Sequence, residues 1–532
     1  MHAHKPYTPK DYAGKLARYF INSPLTMILG ITLLAIGYLS LMIMPREENP
    51  QMVVSGSTVI IALPGATAKE VENVIVRPLE RKMKEVLGIE HIMGMAMDNV
   101  GIVNAAFYIG EEKEDSNLKV YDKIMQNADI FPENAMQPVI KPLDIDVDIP
   151  IVSVAFYAKD PSKMDDTRLY DAVKNLQHAI NGLPNVAVTA LKGGHKHQYN
   201  ILVDLNKLSG YNLSLGQITQ AVQALAYNVP AVKNRTTEGE IVIMGIKNAI
   251  ESVRDVEDII VAQYMGAPIH LRDVAKVEDG YDIQNFHSAA ISARDGDTFT
   301  PAQEQVTLTI SKLKGTNAVV IADEVKEALE NFKPMLEKAG IKYSITRNDG
   351  ERANEAVNEL VFHLIISIVI IAILLVFVLG WRESLIVTFT VPAILAITLF
   401  IAYITGQTIN RITLFAFLLS LGLLVDAAII VIENIHRHFH SVESADMPKD
   451  DLLVEATDEI GPPTNIATFA IILTMVPMAF VGGMMGQFMK PIPANVPVAL
   501  IASLFVAYIF TPYFAKRMMH RPDHAKHEGG HK

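Results

Sequence analysis

Apolar positions in this chain gather into six long runs, and between the first and second lies a stretch of some 300 residues patterned differently. The runs cover residues 25–44, 361–379, 385–404, 412–434, 464–481 and 496–514. A helix rising about 1.5 Å per residue needs about 20 apolar residues to cross a hydrocarbon core of about 30 Å, so each run predicts a transmembrane helix. The first is followed directly by MPREENP, with no small-residue cleavage site, and reads as an uncleaved span.

The long stretch alternates short strand patterns with helical ones. STVIIALPGATAKEVENVIVRPLERKMKEVLGIEHIMGMAM predicts strand, helix and strand, and IVSVAFYAKDPSKMDDTRLYDAVKNLQHAINGLPNVAVTAL repeats the order. NLSLGQITQAVQALAYN and the pair VTLTISKLK with AVVIADEVKEALENF repeat the element types. The expected fold is therefore a six-helix membrane bundle joined to an α+β region of repeated ferredoxin-like (split βαβ) subdomains.

An even number of spans places both termini on one side. Lys5, Lys10, Lys15 and Arg18, then Arg382, Arg437, Lys516, Arg517 and Arg521, all fall on that side. Cytoplasmic loops carry the excess of Lys and Arg, so residues 1–24, the loop 435–463 and the tail 515–532 are expected in the cytoplasm and the α+β region outside.

Composition narrows the function. Half of the residues are hydrophobic and the mean hydropathy is +0.24, an excess that membrane lipid accounts for. No cysteine is present, which removes disulfides, thiol catalysis and thiolate metal sites. A net charge of -12 offers no concentrated basic face for nucleic acid.

One residue breaks the pattern of the fourth run. Asp426 stands near its middle, where an ionised carboxylate costs at least about 2.5–3.5 kcal/mol. Glu433 follows seven residues later, two turns less about 20°, so both acids share a face about 10 Å apart. Ser420, Gly422, Ala427 and Ala428 would let neighbouring helices approach that face. The expectation is a proton or ion site enclosed in the bundle; a structural carboxylate satisfied by a neighbouring helix is the alternative.

Other clusters carry less. Asp144, Asp146 and Asp148 alternate with apolar residues, as on a strand whose acidic face could hold a cation or simply meet water. His91, Met93, Met95 and Met97 also alternate; they suit a soft metal such as Cu(I), or fill a core. His195 and His197 fall in a turn-like stretch and His520, His524, His527 and His531 in a polar tail, and none is assigned a site. No phosphate-binding GxxxxGK[ST] loop and no HExxH occurs, and a single intramembrane aspartate cannot make an aspartyl protease dyad, so no enzyme, metal centre or cofactor is expected.

The ordered segments MPREENPQMVVSGSTVIIALPGATAKEVE, LVDLNKLSGYNLSLGQITQAVQAL, INRITLF, GLLVDAAIIVIENIHR, VPMAFVGG and LFVAYIFTPYFAKRMM resemble the resistance-nodulation-division (RND) efflux transporters of Gram-negative bacteria. The resemblance implies an inner-membrane permease with a periplasmic region, in which residues 46–143 form one porter subdomain, 144–192 with 292–350 a second, and 193–291 a docking subdomain. It implies proton-driven export of drugs or other small amphiphiles. Asp426 matches the family's proton-relay aspartate, and Glu433 is the second acid expected to serve. A unit charge falling through about 100 mV supplies about 2.3 kcal/mol, roughly a fifty-fold gradient per proton.

Two departures shape the expectation. Many drug exporters carry two adjacent aspartates where this chain has Asp426 and Ala427, a pattern that also resembles the heavy-metal-exporting branch. Family members are tandem duplications with twelve spans, so this chain corresponds to the amino-terminal half. The partners implied are a second six-span half (a separate chain, a missing part or a second copy), a trimeric assembly, a periplasmic adaptor and an outer-membrane channel. A heavy-metal cation exporter and a non-transporting auxiliary subunit are the alternative functions.

Overall fold

The computed structural model describes residues 7–520 apart from residues 163, 165, 225–231, 236–240, 245–249, 251, 265, 282–287, 293 and 442–446. Six helices among them are long and apolar enough to cross a membrane: Leu25–Ile43, Asp349–Val378, Trp381–Ile404, Arg411–His440, Lys449–Ala479, and one ending at Met518 whose main part is Pro491–Met518. They are called here the first to sixth long helices.

Several outrun their apolar stretches. The second starts at Asp349, twelve residues before apolar residue 361, because Asn348 caps it by accepting from the Glu351 amide and the polar turns that follow remain good helix formers. Most of 435–463, expected as a loop, is helical for the same reason: the fourth long helix runs on to His440 and the fifth begins at Lys449. The third, fourth and sixth form the buried centre, with Val387, Val391, Ala428, Val431, Ile432 and Ala507 in one apolar cluster. The first long helix packs on the third through small residues. A Cβ on Gly37 would lie 2.3 Å from that of Ala396, so only glycine permits this approach.

Outside the bundle, strands β1 (Gly56–Ala62), β2 (Ile89–Met97), β3 (Val100–Phe107) and β4 (Val139–Leu143) form an antiparallel sheet in the order β2-β3-β1-β4. Its helices, the consecutive pieces Ala68–Val71, Glu72–Val76 and Arg77–Met83 and then Lys113–Gln126, cover one face and bury Ile61, Ile75, Leu79, Val103 and Val120.

Strands β5 (Val152–Ala158) and β6 (Val186–Lys192) do not close a sheet alone. The Gln303–Lys312 strand lies between them and Ile341–Asn348 pairs on the far side of β5, which repeats the first sheet's order. Helices Asp166–Asn181 and Ala318–Lys338 pack on this sheet around Phe156, Val173, Leu308 and Val325. The intervening residues have a core of their own, including Leu208, Ile218, Val256, Leu271 and Val277, around the paired strands His197–Val203 and Ala275–Tyr281.

Two sequence expectations change. Residues 145–148 form a short helix, so the Asp144–Asp148 segment is not a strand. The Asp144 amide donates to the Asp148 carboxylate at 2.8 Å and Asp144 pairs with Lys113, local bonding that turns the chain before Pro150. Of Asp146 only the backbone is described. The His91–Met97 row does lie on one face of β2, but it fills no core: Met93, Met95 and Met97 are 45–60 % exposed, because the odd positions face away from the helices.

Candidate functional site

The fourth long helix is fixed at both ends. At its start Asn410 accepts from the amides of Ile412 and Thr413 (3.1 and 2.9 Å) while its own amide donates to the Thr408 carbonyl. The chain leaving the first long helix runs alongside, with Glu47 N donating to Ile409 O (3.0 Å) and Ile409 N to Pro45 O (2.9 Å). At its other end Arg437 and His438 both meet Glu459 of the fifth long helix at 2.7 Å, and Asn434 donates to the Ala456 carbonyl.

Between these anchors the helix has two unlike faces. Thr413, Phe417, Ser420, Leu424, Ala427, Ala428 and Val431 are buried against neighbouring helices. Phe415, Leu419, Gly422, Asp426 and Glu433 recur at three, four and seven residues and are all exposed. Asp426 and Glu433 therefore do share a face, which is open among the described residues of this chain. Of the small residues named above, Ser420, Ala427 and Ala428 serve the buried face; only Gly422 accompanies Asp426, with nothing within 4 Å of where its Cβ would be. Among the described residues, neither carboxylate has a hydrogen bond or ion pair.

A mid-helix carboxylate on an open, otherwise apolar face is costly in hydrocarbon unless it is neutralised or met by a partner. The arrangement suits proton uptake and release at a helix interface. The open face also provides a strip on which a further helix can lie.

Two polar clusters were not singled out from sequence. Where the first long helix meets the second sheet, Glu47 pairs with Lys312 at 2.9 Å and accepts from Gln51, and Glu48 lies 3.3 Å from Arg411 and 3.7 Å from Arg352. At the opposite end of the bundle, helix Tyr12–Phe20 is bound to the fifth long helix. Asp458 accepts from the Tyr7 hydroxyl and the amides of Lys10 and Asp11 at 2.7–2.8 Å, and Arg18 pairs with Asp451 at 2.6 Å. Burial and the Asp458 contact push the Tyr7 phenol well above its ordinary range. The charged run PREENP and the acidic stretch KDDLLVEATDE were the available signals.

The minor histidines are placed too. His195 is buried and meets Glu304 at 3.0 Å, and His197 opens a strand and meets Asp279 at 2.5 Å, so the stretch is more structured than a free turn. His520 lies 2.7 Å from Arg382. His524, His527 and His531 fall outside the described residues.

Six long apolar helices, with an acid midway along the fourth and α/β layers inserted after the first, are the features of a multi-pass membrane protein. The family model described as AcrB/AcrD/AcrF matches residues 16–531, and the chain belongs to that family of RND permeases.

Proposed function

We propose that this chain is the proton-carrying part of an RND efflux permease that exchanges protons for drugs or other small amphiphiles. The observation that carries the reading is Asp426, placed mid-helix on an open face with no partner among the described residues, with Glu433 two turns further along. Protonation at Asp426 removes the charge that disfavours an apolar contact, so the fourth long helix can repack against what lies on its open face.

In this reading the six long helices lie in the inner membrane and the α/β region in the periplasm. The strand order β2-β3-β1-β4, repeated in the second sheet, supports two ferredoxin-like porter subdomains, and the separate core inside 193–291 supports a docking subdomain. The open face is the seat of a second six-span half, whether on the same polypeptide, a separate chain or a second copy, and the assembly is a trimer served by a periplasmic adaptor and an outer-membrane channel.

The test is drug export by proteoliposomes holding the full assembly under an imposed pH gradient. Asp426→Asn is expected to lower the rate at least about a hundredfold. Full export by that variant would sink the reading. A heavy-metal cation as cargo is the second reading, favoured by the open row of His91, Met93, Met95 and Met97, whose thioethers and imidazole suit a soft ion.

A further inference from the structure

A cavity of about 480 Å³ opens where the long helices meet the α/β region, at the end of the bundle that holds Asn410. Apolar side chains contribute to its lining, among them Ile401 of the third long helix and Ala494 and Val498 of the sixth. The lining also carries amides engaged with neighbouring groups: Asn495 donates to Gln407 at 2.8 Å, and Gln51 donates to Glu47. Two ammonium groups complete the lining, Lys314 from the turn after the Gln303–Lys312 strand and Lys490 at the start of the sixth long helix. Both are exposed, and neither has a carboxylate partner among the described residues.

The charge of this lining is opposite to that of the chain. The protein has 58 acidic residues against 46 basic ones, yet no acidic residue lines the cavity. Lys314 and Lys490 are the only charged residues of the lining among the described residues, and their ammonium groups select an anion. The apolar side chains of the lining select a hydrocarbon body, and the volume suits one small amphiphile or part of a lipid.

We propose that this cavity binds an amphiphile with an anionic head, carboxylate or phosphate, its head between Lys314 and Lys490 and its apolar body against Ile401 and Val498. The site is remote in sequence and composition from Asp426, and binding needs no transport. A negative result would therefore leave the proton-coupled reading standing.

The probe is dansylundecanoic acid, titrated by fluorescence into the purified chain in nonionic detergent, with the matched alcohol as the uncharged control. The double variant Lys314→Gln/Lys490→Gln removes only exposed, unpaired groups and is expected to fold as the parent does. It should weaken the carboxylate about tenfold and leave the alcohol unchanged. Val498→Trp, which fills part of the apolar lining, should weaken both. Equal affinity of acid and alcohol for the parent protein, or an unchanged acid affinity in the double variant, overturns the proposal. Repeating the titration in nanodiscs assigns the source. Displacement of the probe by phosphatidylglycerol but not phosphatidylcholine identifies a membrane lipid head, and no displacement by either identifies a free amphiphile; both results keep the anionic head.

Discussion

Glu47 and Lys312 face each other at 2.9 Å with their side chains only 6 % exposed, and they join two parts of the chain that share no secondary structure. Glu47 follows the first long helix by four residues and Lys312 ends a central strand of the second sheet. Thr408, just ahead of the fourth long helix, lies 3.5 Å from the other Glu47 oxygen. The pair thus sits where the end of the Asp426 helix meets the α/β layers.

Removing one partner leaves a buried charge alone, which costs about 3–5 kcal/mol, whereas removing both costs less. Glu47→Leu and Lys312→Met are each expected to lower the melting temperature in detergent sharply, and the double variant should recover a large part of the loss. A double variant as unstable as the sum of the singles would show that the two groups do not act as a pair.

Gly422 separates an assembly role from a folding role. Nothing lies within 4 Å of a Cβ placed there, so Gly422→Leu should change the stability of the isolated chain by no more than about 0.5 kcal/mol. If another helix lies on the open face, the same substitution should strongly reduce export and copurification of the second half. Unchanged export would mean that the face stays open in the working protein.

The amino-terminal helix is held by contact too close for a side chain. A Cβ on Gly14 would lie 2.4 Å from the Asp458 carboxylate, so Gly14→Leu is an overpacking change worth about 1–3 kcal/mol. Limited trypsin digestion is expected to cut at Lys10, Lys15 or Arg18 faster in this variant, and also in Asp458→Ala. Cleavage at the parental rate would argue that the helix is held by other contacts.

Alkaline pH should act on one pair in the second sheet's layer. Burial, and then the hydrogen bond to Glu330 at 2.8 Å, push the Tyr343 phenol up from 10.0 to about 12, while that bond and Lys333 hold Glu330 below the usual carboxylate range. Between those two values the unfolded chain has lost the phenol proton and the folded one retains it, so this contribution to stability declines as pH rises from about 10 to 12. In denaturant titrations across that window, Tyr343→Phe should flatten the decline relative to the parent. Parallel curves would rule the pair out as a cause.

The sequence was most informative where one physical demand dominates. A bilayer requires apolar length, so residues 25–44 and 385–404 correspond closely to Leu25–Ile43 and Trp381–Ile404. It was least informative where polar residues are helical, as in Lys449–Gly461, where Asp451 and Asp458 are satisfied by the distant residues Tyr7–Arg18. Local pattern gave strand, helix and strand for residues 152–192. It could not show that Gln303–Lys312 inserts between β5 and β6, since pairing across more than a hundred residues leaves no periodic trace. The cost of a mid-helix acid singled out Asp426, but which side of the helix stays uncovered depends on how its neighbours pack.

That inserted strand also sets an order of events at the ribosome. β5 is made more than 140 residues before the inserted Gln303–Lys312 strand, the first of its two neighbours to appear, a delay of about 7–30 s at ordinary synthesis rates. Throughout that interval a strand of sequence VSVAFYA has both edges unpaired, the kind of segment that recruits wrong partners. The first sheet, complete by Leu143, has no such wait. Misassembly during biogenesis should therefore begin at β5, and slowing synthesis between residues 193 and 302 should lower the yield of folded protein more than the same pause placed before residue 56.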